Sequence, residues 1–378
     1  MPDNWDLFKT NTVNSNLDVE VLKKEVGQRF PYYDIRIDIN AVAFFCRVDE
    51  ESLEQNFDSL RKSLSDKGYI PMLRVEHGEH IIYIITKPKR KQKSIWINIA
   101  LLIATIITTI LTGALLNSGY ADLWSVPDLS KVLNTENLVN GAIYFSFPLL
   151  SILIIHEMGH YFTSRRYKLS ASLPYFMPIP PILWGFNIGT FGALISSGDP
   201  MPNKKALFDV GISGPIAGFI VAIPVAIIGI ATSEIIEISQ SAPGEIILGS
   251  SLLFTLISNT LHTVPEGFAL NLNSIAFAGW VGLLITSINL LPAGQLDGGH
   301  IFRAVLGKYQ RIAGWIAVAI MILTGWMFFA IIIIFLMGMM HPPPLNDDSK
   351  LGFKRQALFI VAIIILILCY IPFPITTI

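Results

Sequence analysis

The chain has 378 residues, 52% of them hydrophobic and only 15% charged, with a formal net charge of −1. A soluble globular domain is about 25% charged, so lipid rather than water surrounds much of this chain, and the near-zero charge excludes a polyanionic partner such as nucleic acid. Its two cysteines, Cys46 and Cys369, fall one in a polar and one in an apolar segment; they read as free thiols and exclude a disulfide framework or a cysteine metal site.

Residues 1 to about 90 are polar and read as a water-soluble unit. Asp18 caps a helix running to about Arg29. Tyr33–Ile39 alternates at period two and predicts a half-buried strand, followed by a second over Ala41–Val48. Leu53, Phe57, Leu60 and Leu64 share one helical face, and Gly68 ends that helix. Two further strands, Ile70–Glu76 and His80–Thr86, flank a turn at His77-Gly78-Glu79. The order αββαββ predicts a small α+β domain without a catalytic constellation, and a regulatory partner is expected here.

Lys87, Lys89, Arg90, Lys91 and Lys93 then precede the first long apolar run, Ile95–Leu116. The positive-inside rule makes this the cytoplasmic end of a span. The loop 117–140 carries Asp122, Asp128 and Glu136 against one lysine, Lys131, and is placed outside. A second span returns from about Leu138 and is stopped by Arg165, Arg166 and Lys168.

That second span ends in His156-Glu157-Met158-Gly159-His160. The fifteen residues before it, Gly141–Ile155, hold no ionisable side chain. An ionisable group at the bilayer centre costs roughly 2.5–3.5 kcal/mol on insertion scales, so such groups need a partner or a purpose. Helical residues i and i+4 share a face, which lets His156 and His160 aim at one metal ion. Glu157 lies beside that ion, where it can take a proton from water. This is the HExxH pattern of zinc hydrolases, which expects one Zn2+.

Leu173–Ser197 is apolar, but Pro174, Pro178, Pro180 and Pro181 forbid a continuous helix. It predicts a re-entrant hairpin or strand pair, tolerated at membrane depth only where its backbone is satisfied. The exposed edge around Phe186, Asn187, Ile188, Gly189 and Thr190 is expected to receive an extended substrate as an added strand. Leu207–Thr232 is the third span; Gly211, Gly214 and Gly218 give it a surface for close helix packing. Asp209 is expected to pair with Lys204, Lys205 or the hairpin backbone. Ser274–Leu291 is a further span, and Arg303, Lys308 and Arg311 mark the cytoplasm after it. The last apolar runs are Ile312–Gly338 and Leu358–Ile371, separated by His341-Pro342-Pro343-Pro344. Lys350, Lys354 and Arg355 in that separating loop conflict with an external placement after one crossing.

A catalytic zinc site takes three protein ligands and one open position. Asp297 is the candidate third ligand. It is the only acid in the inner half of its span, Gly298 and Gly299 let the backbone approach closely, and flanking charges put it on the same membrane side as HEMGH. His300 reads as interfacial rather than as a ligand.

HEMGH at the end of a span, NIGTFGA at Asn187–Ala193, LFDVGISGPIAG at Leu207–Gly218 and NLLPAGQLDGG at Asn289–Gly299 together resemble the site-2 protease family of intramembrane zinc metalloproteases. The branch without inserted PDZ or CBS domains, with chloroplast-type and archaeal members, is most similar. The resemblance implies that His156, His160 and Asp297 bind zinc and that Glu157 is the general base. It also implies that Asn289 helps to hold substrate or the oxyanion; a structural hydrogen bond between helices is the competing role for Asn289. The substrate would be a transmembrane helix of another membrane protein, cut near the cytoplasmic face.

The expected architecture is thus a polytopic α-helical membrane protein with about six to eight membrane segments, a re-entrant hairpin, and a small N-terminal α+β soluble domain. Residues 1–90 form that domain and 91–378 the membrane-embedded part, with its core over 95–310 and extra spans over 312–378. A prokaryotic cell membrane is the expected location. The alternative function is a membrane zinc transporter, suggested by His262-Thr263-Val264-Pro265-Glu266-Gly267, which resembles a metal-binding helix of zinc permeases.

Overall fold

The computed structural model describes residues 17–88, 94–118, 129–180, 188–196, 198–237 and 246–377. The chain forms two compact units: Met1–Gln92 with Pro200–Leu207 and Pro342–Gly352, and Lys93–Asp199 with Phe208–His341 and Phe353–Ile378.

The first unit runs α1 (Val19–Gly27), β1 (Tyr32–Ile37), β2 (Ala41–Cys46), α2 (Leu53–Asp66), β3 (Tyr69–Glu76) and β4 (Glu79–Thr86). Asp18 accepts the Val21 N–H at 3.2 Å, as its capping role requires. The sheet is antiparallel in the order β1-β2-β4-β3. β3 and β4 are joined by the two-residue turn His77-Gly78, both at positive φ (52° and 84°), which matches strand twist. Leu22, Val26, Phe30, Val42, Phe44, Phe57, Leu60, Leu64, Ile82 and Ile84 are buried together between helices and sheet. Cys46 joins them, and burial pushes its thiol up to about 12, so it stays protonated.

Two segments from far along the chain complete this unit. The Leu73 N–H donates to the Leu345 carbonyl at 2.8 Å, and Leu345 enters the core at 5% exposure. Leu345 and Asn346 in turn donate to the Met201 and Pro202 carbonyls at 2.8 and 2.9 Å. Lys205 pairs with Glu54 at 2.6 Å. No local pattern in the sequence announces a pairing across some 270 residues.

Among the described residues four helices are long and apolar enough to cross a membrane: Ile95–Asn117 (α3), Thr135–Arg166, Lys204–Ala231 and Asp297–Leu323. Leu252–Leu261 and Ser274–Asn289 are apolar but shorter. At 1.5 Å per residue the 16 residues of Ser274–Asn289 reach about 24 Å, less than the roughly 30 Å of a hydrocarbon core. Four candidate spans thus meet the criterion among the described residues, beside an expectation of about six to eight membrane segments.

The run Ile312–Gly338 is a helical hairpin rather than one crossing. Its first arm, Gln310–Leu323, ends in a turn where Gly325 sits at φ 85°, and Met327–Ile332 leads back. Ala317, Val318, Met321, Trp326, Ala330 and Ile333 are buried together in it. Gln310, at the start of the outgoing arm, accepts the His341 N–H at 3.2 Å, just past the end of the returning one. The loop carrying Lys350 and Lys354 thus returns to the end from which the run set out, and the charge conflict disappears.

The Leu173–Ser197 region contains an antiparallel strand pair, β5 (Tyr175–Pro178) with β6 (Thr190–Leu194). Phe186 and Asn187 lie outside the described residues, as do Lys89, Arg90, Lys91, Lys93, Asp122, Asp128 and Pro181. α3 anchors the pair at two points. Asn98 Nδ2 donates to the Leu173 and Pro174 carbonyls at 2.7 and 3.0 Å, and Thr108 Oγ1 donates to the Gly189 carbonyl at 2.7 Å. α3 also crosses the Thr135–Arg166 helix at a π-helical stretch, Gly141–Ser146. A Cβ on Gly141 would fall 2.3 Å from the Ala114 nitrogen, so only glycine permits this approach.

Candidate metal centre

HEMGH occupies the inner face of the Thr135–Arg166 helix, with His156, Glu157 and His160 4%, 6% and 8% exposed. The two Nε2 atoms lie 3.2 Å apart. Asp297 arrives from a separate helix. The chain leaves Ser274–Asn289, folds back through Leu290–Leu296, and starts a new helix at Asp297. A Cβ on Gly298 would lie 2.2 Å from the Leu290 carbonyl oxygen, and one on Gly299 2.3 Å from that of Gly294, so both glycines are needed for the fold-back. Asp297 Oδ2 ends 3.2 Å from His156 Nε2 and 3.1 Å from His160 Nε2.

These three atoms fit a zinc ion. Two imidazole nitrogens and a carboxylate oxygen are a catalytic zinc donor set, and bonds of about 2.0 Å in a tetrahedron separate the ligands by about 3.3 Å. The observed separations of 3.1–3.2 Å match that spacing. His156, His160 and Asp297 form a metal-type group among the described residues. His160 Nδ1 donates to the Val210 carbonyl at 2.7 Å, which leaves the Nε2 lone pair directed at the group. Asn289 Nδ2 lies 3.4 Å from His156 Nε2, so the end of the Ser274–Asn289 helix also reaches the site. Glu157 makes no hydrogen bond or ion pair among the described residues, although it is buried.

Of the substrate-binding candidates, Gly189 and Thr190 are tied down. Gly189 gives its carbonyl to Thr108. Thr190 is 1% exposed; its hydroxyl donates to the Met177 carbonyl at 3.0 Å and accepts the Gly192 N–H at 3.0 Å. Ile188 is half-buried ahead of β6, which packs against the HEMGH helix.

One expectation is corrected. Asp209 pairs with neither Lys204 nor Lys205: Arg355 grips it with two hydrogen bonds of 2.7 Å, and Tyr167 donates to it at 2.5 Å. The planar guanidinium fork suits a carboxylate better than an ammonium does. Gly211, Gly214 and Gly218 pack closely, as expected, and they do so against the site itself. A Cβ on Gly214 would lie 2.0 Å from His160 Nε2, one on Gly218 3.1 Å from the His156 ring, and one on Gly211 2.7 Å from His300 Cβ. The available signal was the 3–4 spacing of small residues, complementary to the i, i+4 spacing of the histidines. His300 does not join the metal group; its ring lies tilted at 53° against that of His341, with centroids 4.0 Å apart. His262 Nε2 lies 2.8 Å from the Ile230 carbonyl and joins no metal group among the described residues, so the transporter alternative gains no second cluster.

A helical membrane protein with a buried HExxH helix and an aspartate brought to it from another helix belongs to the class of membrane-embedded metallopeptidases. Residues 144–334, half of the chain, match the model of peptidase family M50, and the protein belongs to that family, the site-2 proteases, whose metal is zinc. It is similar to the probable zinc metalloprotease EGY1, chloroplastic, of Oryza sativa subsp. japonica, with 28% identity over 65% of this chain and 43% of the relative. The Arabidopsis thaliana protein of that name is 27% identical over 62% and 43%. The probable zinc metalloprotease EGY2, chloroplastic, of Oryza sativa subsp. indica is 30% identical over 48% and 32%. The chain thus spans less than half the length of these relatives. Their names place them in chloroplasts and lend no support to a prokaryotic cell membrane. No solved structure matches the chain significantly.

Proposed function

We propose that this protein is an intramembrane zinc endopeptidase that cuts transmembrane segments of other membrane proteins near the cytoplasmic face. The observation that carries the reading is the convergence of His156, His160 and Asp297 within 3.2 Å of one another, beside the buried and unpartnered Glu157. His156, His160 and Asp297 hold the ion. When bound, zinc acts as a Lewis acid and lowers the pKa of water to about 7. Glu157 takes the proton from the attacking water as the C–O bond forms, then delivers it to the leaving amine as the C–N bond breaks. Asn289, a neutral donor, steadies the carbonyl oxygen as it gains negative charge without adding a buried charge.

A transmembrane helix has its carbonyls occupied in backbone hydrogen bonds, so the substrate must unwind before it reacts. The edge at Phe186, Asn187, Ile188, Gly189 and Thr190 receives the unwound segment as an added strand. The hydrogen bonds that tie Gly189 to α3 and Thr190 to the hairpin support this reading for the described part of the edge. A partner that regulates access binds the N-terminal unit. The deciding experiment pairs zinc quantification with cleavage of a helical substrate in vesicles. Glu157→Gln should keep its zinc and lose cleavage; cleavage at the wild-type rate would overturn the assignment.

A further inference from the structure

We propose that Gly214 is a positioning residue for the metal centre, one whose missing side chain lets the His160 ring lie against the Lys204–Ala231 helix. The inference rests on the zinc peptidase reading above and concerns what holds one of its ligands in place. Three observations carry it. The space a Cβ would fill on Gly214 is occupied by the far side of the His160 ring: it would lie 2.0 Å from Nε2, 2.4 Å from Cδ2 and 2.6 Å from Cε1. On the ring's other nitrogen, Nδ1 donates to the Val210 carbonyl of the same helix at 2.7 Å. The two helices have no slack, because a Cβ on Gly159 would fall 2.6 Å from the Ser213 carbonyl oxygen.

His160 is therefore placed by a helix other than its own. Val210 sets its tautomer, and the bare backbone at Gly214 sets how far its ring can swing. Real Cβ contacts essentially never fall below 3.0 Å, so alanine at 214, placed 2.0 Å from Nε2, must displace the ring or drive the helices apart. Metal–ligand distances tolerate only about ±0.2 Å. His156 is held less tightly, since a Cβ on Gly218 would stand 3.1 Å from it and require a shift of only a few tenths of an ångström.

The test compares Gly214→Ala with Gly229→Ala in the full-length protein. Gly229 lies on the same helix, and its Cβ would fall 2.2 Å from the Ala276 nitrogen, so it is as tightly packed but remote from the ligands. Zinc affinity from chelator competition and the visible spectrum of the Co2+-substituted protein are read beside the thermal midpoint. Gly214→Ala should weaken zinc binding by about 10-fold or more and alter the Co2+ spectrum; Gly229→Ala should lower the midpoint and leave both unchanged. Wild-type zinc affinity and spectrum in Gly214→Ala, or equal zinc loss in both variants, overturns the inference. Should Gly214→Ala not fold, it is combined with His160→Ala. Recovery of folding in the double variant supports the clash with the ring, and failure to recover refutes it. A wild-type protein that binds no zinc overturns the peptidase reading instead.

Discussion

The two units of this chain both bury apolar side chains, but they differ in what they leave outside and in how much polar and small-residue surface they take inside. In the N-terminal unit Phe44, Phe57 and Leu60 are sealed inside, and most polar side chains face out. In the membrane unit Ile220, Phe328 and Ile155 point outward at 62%, 63% and 41% exposure, while Asn98, Thr105, Thr109, Ser146 and the glycines at the helix crossings lie inside. Water drives the first arrangement, through the removal of apolar surface. Lipid supplies no such drive between helices, so the second depends on close backbone approach and on hydrogen bonds from small polar side chains. The proposed chemistry sits in the second unit, where Glu157 is buried with no hydrogen-bond partner among the described residues and is costly enough to need a purpose.

The largest effect expected from this contrast is at the site. Glu157→Gln should reduce cleavage by about 10²–10⁴-fold with zinc retained, whereas His156→Ala or Asp297→Ala should lose the metal itself. Metal analysis alongside a vesicle cleavage assay separates the two outcomes. Next in size, Phe57→Ala should destabilise the N-terminal unit by about 3–5 kcal/mol, seen as faster amide exchange in β2–β4 of the full-length protein. Ile220→Ala, facing lipid, should leave exchange in its own helix nearly unchanged. Similar losses at both positions would end the contrast between the units.

A smaller effect is tied to pH. Glu25 accepts hydrogen bonds from Lys67, Ser63 and Arg29, led by Lys67, and its carboxyl is lowered to about 2 from an ordinary 4.5. A depressed carboxylate stabilises the fold above its unfolded pKa and loses that contribution as the pH falls through the folded value. The N-terminal unit should therefore weaken between about pH 4.5 and 2, and Glu25→Gln should flatten this slope in denaturant titrations. The smallest is Thr108→Ala, which removes the hydrogen bond from α3 to Gly189 and should cost about 0.6 kcal/mol. It is measured best as exchange of the β6 amides; protection at the wild-type level would show that α3 does not hold the hairpin.

Residues one or two turns apart were readable from the sequence alone. The αββαββ order, the HExxH face and the proline-broken hairpin each follow from local periodicity or from what proline forbids, because backbone geometry fixes them within a few residues. The place of Asp297 beside the two histidines was also legible, since an acid next to two glycines at the end of an apolar run has few structural reasons to be there. Tertiary structure alone decided the rest: Leu345 completing a core begins at Leu22, Arg355 taking Asp209 from nearer lysines, the Ile312–Gly338 run folding into a hairpin, and Gly214 giving its space to His160. Each of these depends on which distant surfaces meet, and that is settled by packing the whole chain rather than by any stretch of it.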